Sequence, residues 1–170
     1  GAANWWETER VSNHEYQTLD SGDKYDYSGT SSIGGIDGEW ISVQFPEPII
    51  VNSFTMGFHN SQDPVPYKFK LLCSNNGTSW NTLNCFDENG DSTSIDGVTL
   101  TSFPESTFNT STDDSEYGQA FTHWAIVVTQ IKAGTGLEAS RRNFAVADIK
   151  FFSVSKDVAQ CIKANDETFN

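Results

Sequence analysis

Two short polar stretches carry the side chains best suited to chemistry in this 170-residue chain. The first holds Phe58, His59, Asn60, Gln62 and Asp63; the second holds Glu138, Arg141, Arg142 and Asn143. Together they offer hydrogen-bond donors and acceptors that can match hydroxyl groups, and an aromatic face for stacking. That is the chemistry of sugar recognition, and Tyr25 and Tyr27 are placed to border it. The plain alternative is a pair of solvated loops, with Arg141 and Arg142 held by surface carboxylates. Membrane insertion would call for Trp or Leu tips beside cations. Within 58–66 only Phe58 is large and apolar, and Asp63 follows it closely, so insertion into lipid is not expected.

Hard oxygen ligands alternate at Asp87, Asn89 and Asp91 in a D-x-N-x-D pattern, which makes calcium a candidate. A full EF-hand loop would need Gly at its sixth position and Glu at its twelfth, where Ser92 and Val98 stand. Asp20, Asp23 and Asp26 read as a solvated acidic loop. Catalytic patterns are absent. His14, His59 and His123 fall on separate segments, with no paired His or Cys spacing for zinc. There is no G-x-S-x-G elbow and no phosphate loop, and no carboxylate spacing selects a glycosidase pair. The expectation is a protein that is not an enzyme. Two sequons, at Asn76 and Asn109, are candidate glycosylation sites and permit an extracellular protein.

These stretches need a rigid frame, and the composition describes one. The length fits one domain with a core. Aromatics make up 13%, and Ser, Thr, Asn and Gly separate short apolar runs, as in a chain of strands and turns. A net charge of −13 argues against nucleic acid and against anionic membrane surfaces, since both need cations. No apolar run approaches the roughly 20 residues of a membrane span. Three cysteines leave the compartment open. The chain opens on Gly1 rather than Met, as expected of a processed or excised chain.

Strand signals follow in order. "EWISVQF" (39–45) alternates, with Ile41, Val43 and Phe45 on one face, and Pro46-Glu47-Pro48 should end it because proline gives no ladder donor. "IIVNSFTMGF" (49–58) places Phe54, Met56 and Phe58 together. "YKFKLLCS" (67–74) buries Phe69, Leu71 and Cys73 and turns Lys68 and Lys70 outward. The Asn76-Gly77 corner is a hairpin signal. With Ser74 opposite Trp80, Cys73 faces Asn81 and Phe69 faces Cys85, so the two cysteines stand about 13 Å apart along the ladder. A disulfide tolerates at most about 7 Å between Cα atoms, so both read as small core residues. A further strand is expected near 97–103. "FTHWAIVVTQI" (121–131) should bury Trp124, Ile126 and Val128, with His123 on the polar face, and "FAVADIKFF" (144–152) should bury Ile149 and Phe151. Residues 1–154 form one β-sandwich, and 155–170 a tail with a short helix capped by Ser155.

The order of these segments resembles the discoidin, or coagulation-factor type C, family and its carbohydrate-binding modules. The motifs are "NWWETE", "GEWISVQFPEPIIVNSFTM", "YKFKLLCSNNGTSW", "THWAIVVTQI" and "FAVADIKFF", spanning roughly 4–153. The resemblance implies an all-β, eight-stranded antiparallel jelly-roll sandwich that binds ligands through loops at one end, without catalysis. It also implies a structural calcium ligand at Asp148. The chain departs from the pattern in three places. Ala125 stands where an arginine is common, the 87–120 connection is long, and the family's acidic turn would precede Gly1.

Alternating strand direction puts loops 20–38, 58–66, 87–96 and 132–143 at one end of the sandwich, and the 74–79 corner with the Pro-Glu-Pro turn at the other. The resulting expectation is an extracellular, cell-surface or virion-surface module that binds a glycan through loops 58–66 and 132–143. The alternative is a structural component of an extracellular or virion assembly whose sandwich contacts other protein subunits. A third reading is a lectin-like domain of a larger enzyme.

Overall fold

The structure is a computed structural model that describes residues 6–7, 16–18, 24–58, 65–87, 105–110, 116–132 and 145–154. Twelve strands are found among them. They are β1 (Trp6–Glu7), β2 (Tyr16–Thr18), β3 (Lys24–Tyr27), β4 (Ser32–Ile33), β5 (Ile36–Asp37) and β6 (Glu39–Phe58). After these come β7 (Val65–Ser74), β8 (Asn81–Leu83), β9 (Cys85–Asp87), β10 (Glu105–Thr110), β11 (Phe121–Lys132) and β12 (Ala145–Val154). Every pairing between them is antiparallel. The all-β antiparallel sandwich expected from the sequence is the fold observed. The strand expected at 97–103 and the helix expected in 155–170 lie outside the described residues.

One strand ties the two layers together. The first part of β6 pairs with β11, from Glu39↔Val128 to Gln44↔His123. Its second part pairs with β12, from Ile50↔Val154 to Phe58↔Val146, and with β10 on its other edge. One layer therefore runs β1-β12-β6-β10-β9. The other runs β2-β3-β11-β7-β8, with β6 sharing the β3 edge of β11.

The Pro-Glu-Pro segment does not end a strand, contrary to the expectation above. Pairing resumes at Ile49↔Phe121 after an irregularity opposite residues 121–123, and Pro46, Glu47 and Pro48 are exposed. Prolines fit where the chain passes from one layer to the next, because a bulge asks for no ladder donor there.

The core between the layers holds Phe54, Met56, Phe69, Leu71, Cys73, Trp124, Ile126 and Val128, each at most 1% exposed. Phe54 and Phe69 meet edge to face across it at 6.0 Å. Val43, Phe45, Ile149 and Phe151 pack against this core as expected, while Ile41 is 37% exposed. Two aromatic polar groups in the core find backbone partners. The Tyr16 hydroxyl donates to the Val128 carbonyl, and the Trp124 indole donates to the Phe121 carbonyl.

Alternation alone misses a second cluster. Leu72, Ala125 and Val127 lie on the outward face of β7 and β11, yet each is fully buried, under Ile33 with Ile36 and Trp80 against them. The β4–β5 hairpin, closed by Gly38 N–H donating to the Ser31 carbonyl, covers that face. A strand covered on both faces reads as a continuous apolar run, and residues 124–128 are one.

The hairpin register is as expected, with Cys73↔Asn81 and Leu71↔Leu83. Phe69 does not face Cys85, however. After Leu83 the chain leaves this layer, and Cys85 pairs with Thr110 in the other. Cys73 and Cys85 are both buried, and no disulfide joins them.

Candidate functional site

The corner at 74–80 is built by side chains more than by a tight two-residue turn. Gly77 has φ of +70°, in the left-handed region that glycine enters without strain. Asn76 Oδ1 accepts from the Ser74 hydroxyl at 3.1 Å, from Thr78 N–H at 2.9 Å and from Ser79 N–H at 2.8 Å. Ser74 Oγ accepts in turn from the Asn76 and Gly77 amides. These bonds engage Oδ1, so a glycan on Nδ2 would leave them in place. His123 packs beside this corner, edge to face with Trp80 at 6.4 Å, and its Nδ1 lies 2.9 Å from Thr122 Oγ1. The other sequon residue, Asn109, is exposed in mid-ladder between Ser53 and Phe86. Its neighbour Thr110 is buried and donates to the Val51 and Asn52 carbonyls.

The opposite end of β11 is the candidate ligand end. Lys132 pairs with Lys24 on one side and Val65 on the other, so β3, β7 and β11 meet on one rung. In the other layer, Phe58 pairs with Val146 and Glu105 with Gly57. Residues 59–64 join Phe58 to Val65, a span that a chain of this length limits to about 25 Å. Residues 133–144 likewise join Lys132 to Ala145. The two loops singled out in the sequence therefore leave from one end. His123, beside the Asn-Gly corner, lies nine residues along β11 from Lys132, about 30 Å away. The observed register agrees with the parity grouping for loops 58–66 and 132–143, whereas 20–38 holds β3 and the β4–β5 hairpin, whose Gly34 packs against Leu72 and Trp80 by the opposite corner.

Phe58 closes β6 at this end through its backbone pairing. His59, Asn60, Gln62 and Asp63 lie outside the described residues, as do Arg141, Arg142 and Asn143. The two tyrosines take structural places. Tyr25 is 5% exposed and belongs to the core, so its ring offers no face to a ligand. Tyr27 is half-buried and stacks edge to face on Tyr16 at 5.3 Å. Its hydroxyl accepts from Ser31 N–H at 2.8 Å and donates to Glu39 Oε1 at 3.4 Å, which fixes the approach to the β4–β5 hairpin. Sequence reasoning overlooked Lys24 and Tyr67. The Lys24 ammonium donates to the Tyr67 hydroxyl at 2.8 Å and lies 4.3 Å from the ring centroid. The available signal was cation scarcity, because the whole chain has ten Lys and Arg residues.

Calcium would need six to eight oxygens. Asp148 stands on β12 with its side chain 48% exposed, and the Lys150 ammonium lies 3.1 Å from its Oδ2. Among the described residues, no three His, Cys, Asp or Glu side chains converge on one point. Calcium at Asp148 would thus need to displace an ammonium and draw its other ligands from elsewhere in the chain. Asp87 ends β9, its side chain outside the described set, and Asn89 and Asp91 lie beyond it. Among the described residues, no helix is long and apolar enough to cross a membrane.

No family model matches the sequence. No curated protein matches it either. Solved structures match at low identity, two of them CBM32 chains. One, of the CBM32-1 and CBM32-2 domains of Clostridium perfringens ZmpB, has a TM-score of 0.47 at 8% identity, covering 89% of this chain and 34% of that one. The other, a CBM32-4 module named CpGH89CBM32-4 and produced by Clostridium perfringens, has a TM-score of 0.34 at 14% identity, covering 89% and 96%. The chain spans about a third of the ZmpB chain it matches.

Proposed function

We propose that this protein is a non-catalytic, extracellular or surface-exposed module that binds glycans at the end of the sandwich formed by loops 58–66 and 132–143. The observation that carries the reading is the shared rung Lys24–Lys132–Val65, together with Phe58↔Val146 in the other layer. It brings the roots of both loops to one rigid end, as multipoint recognition of a hydroxyl-rich ligand needs. Phe58 supplies the stacking face, and Asn60, Gln62, Asp63, Arg141, Arg142 and Asn143 supply the polar contacts. His59 adds a ring that both donates and accepts.

A glycan array run with the wild type and an Arg141→Ala/Arg142→Ala variant tests this. A discrete set of glycans bound by the wild type and lost in the variant is the expected result. An array without signal for either protein, with concentration-dependent oligomers in solution, supports the alternative of an assembly component contacting other protein subunits. One observation favours that alternative: Trp40, Ile41 and Phe152 are large, apolar and 37–46% exposed. Calcium, if it binds, has a structural role at Asp148 or at Asp87, Asn89 and Asp91. Chelation would then lower the melting temperature.

A further inference from the structure

The chain contains two Asn-Gly pairs, Asn76-Gly77 and Asn89-Gly90, and the first lies among the described residues. Asn-Gly is the pairing in which an asparagine amide is most easily lost. The glycine nitrogen gives its proton to a solvent base, and its electron pair forms a bond to the asparagine Cγ. The tetrahedral intermediate collapses by breaking the Cγ–Nδ2 bond, and ammonia leaves with a proton from water. Water then opens the cyclic imide, at Cγ to give aspartate or at the backbone carbonyl to give isoaspartate. Glycine eases the first step because it has no Cβ to obstruct the approach. Asn76 is exposed, so water and base reach it and burial gives it no protection.

Hydrogen bonds centred on Ser74 hold both reacting groups. Gly77 N–H donates to Ser74 Oγ at 3.0 Å, and Asn76 N–H donates to the same oxygen at 3.2 Å. The Ser74 hydroxyl proton is committed to Asn76 Oδ1 at 3.1 Å. Three donors on Oδ1 would by themselves favour attack at Cγ, as in an oxyanion site. A peptide nitrogen is nucleophilic only as its anion, however, and the Gly77 anion would face a Ser74 oxygen with no proton to offer. Hydrogen bonding to the neutral N–H therefore opposes the ionisation that the reaction needs. Ser74 is itself fixed, at 2% exposure on β7 opposite His123. Gly77 has little freedom to turn away, since an atom at its Cβ position would lie 3.2 Å from the His123 ring.

We propose that Ser74 is a lock against deamidation, preserving Asn76 as an amide in a sequence that would otherwise lose it. The lock protects two things. Isoaspartate would add a methylene to the backbone of the corner that sets the Cys73↔Asn81 register, and aspartate would erase the sequon at 76–78. The inference does not depend on the glycan-binding reading.

Peptide mapping by mass spectrometry tests it, on the full chain incubated in mildly alkaline buffer with and without denaturant. Conversion at Asn76 should be at least about tenfold slower in the native protein, one net hydrogen bond being worth roughly that factor. In denaturant Asn76 and Asn89 should convert at similar rates, which gives the unprotected rate within the same sample. Native Ser74→Ala should convert at Asn76 about tenfold faster than native wild type, with the Asn89 rate unchanged. Ser74→Thr keeps a hydroxyl at this position and should stay slow. Melting scans show whether each variant is folded. If Ser74→Ala does not fold, the native and denatured wild type decide the question alone. Equal rates at Asn76 in native and denatured wild type would overturn the proposal. A folded Ser74→Ala no faster than wild type at Asn76, or faster equally at Asn76 and Asn89, would overturn it too.

Discussion

Asn76 illustrates how one side chain replaces a turn type. Its amide oxygen gathers three donors, so Asn76→Ala removes them together. The bonds are partly exposed, so the expected loss is about 1 kcal/mol, or about 2–4 °C in melting temperature for a chain of this size. Asn76→Asp keeps the acceptor and should stay close to wild type in the same thermal scan. Gly57 makes a different point. A Cβ built there would fall on Asp148 Oδ1, the end of a half-exposed side chain that can swing aside, so Gly57→Ala should cost no more than about 1 kcal/mol. Denaturant titrations of Gly57→Ala, Asp148→Ala and the double variant should show that most of this cost disappears when Asp148 is removed. Additive effects would mean that the carboxylate is not what the glycine accommodates.

Among the elements, β11 shows what the sequence could and could not convey. Trp124, Ile126 and Val128 were legible as a period-two core face. Ala125 and Val127 were not, because alternation assigns them to solvent and only the distant β4–β5 hairpin buries them. The uninterrupted apolar run at 124–128 was the local trace of that cover. Leu72 shares this layer at 0% exposure, so Leu72→Ala should cost about 2–5 kcal/mol, while Lys68→Gln, at an exposed position four residues earlier on β7, should fall within about 0.5 kcal/mol. Chemical denaturation separates the two. β6 carries a similar lesson. Its prolines were read as ending a strand, but they interrupt the ladder within one strand that passes between layers, which no local pattern records. Cys85 was expected opposite Phe69 and instead crosses to the other layer, since register continues from a corner only as far as the strand does. Both buried thiols should resist a thiol reagent in native buffer and react fully in denaturant.

For the molecule as a whole, the fold was largely legible and the site only in outline. Strand order, sandwich class and the shared end of the two loops all follow from patterning. The reason is that a half-buried layer imposes alternation on every strand within it. The site resisted because loops carry no periodicity. Tyr25 and Tyr27 looked like ligand contacts by type, and the structure gives one to the core and the other to a hairpin support.

The central claim is that one end of the sandwich binds glycan. Amide chemical shifts followed by NMR during titration with the best glycan from the array test it most directly. Shifts concentrated at Lys24, Phe58, Val65, Lys132 and Val146, the roots of the two loops, are the predicted result. Shifts concentrated instead at Ser74–Trp80 and His123, at the far end of β11, would contradict it.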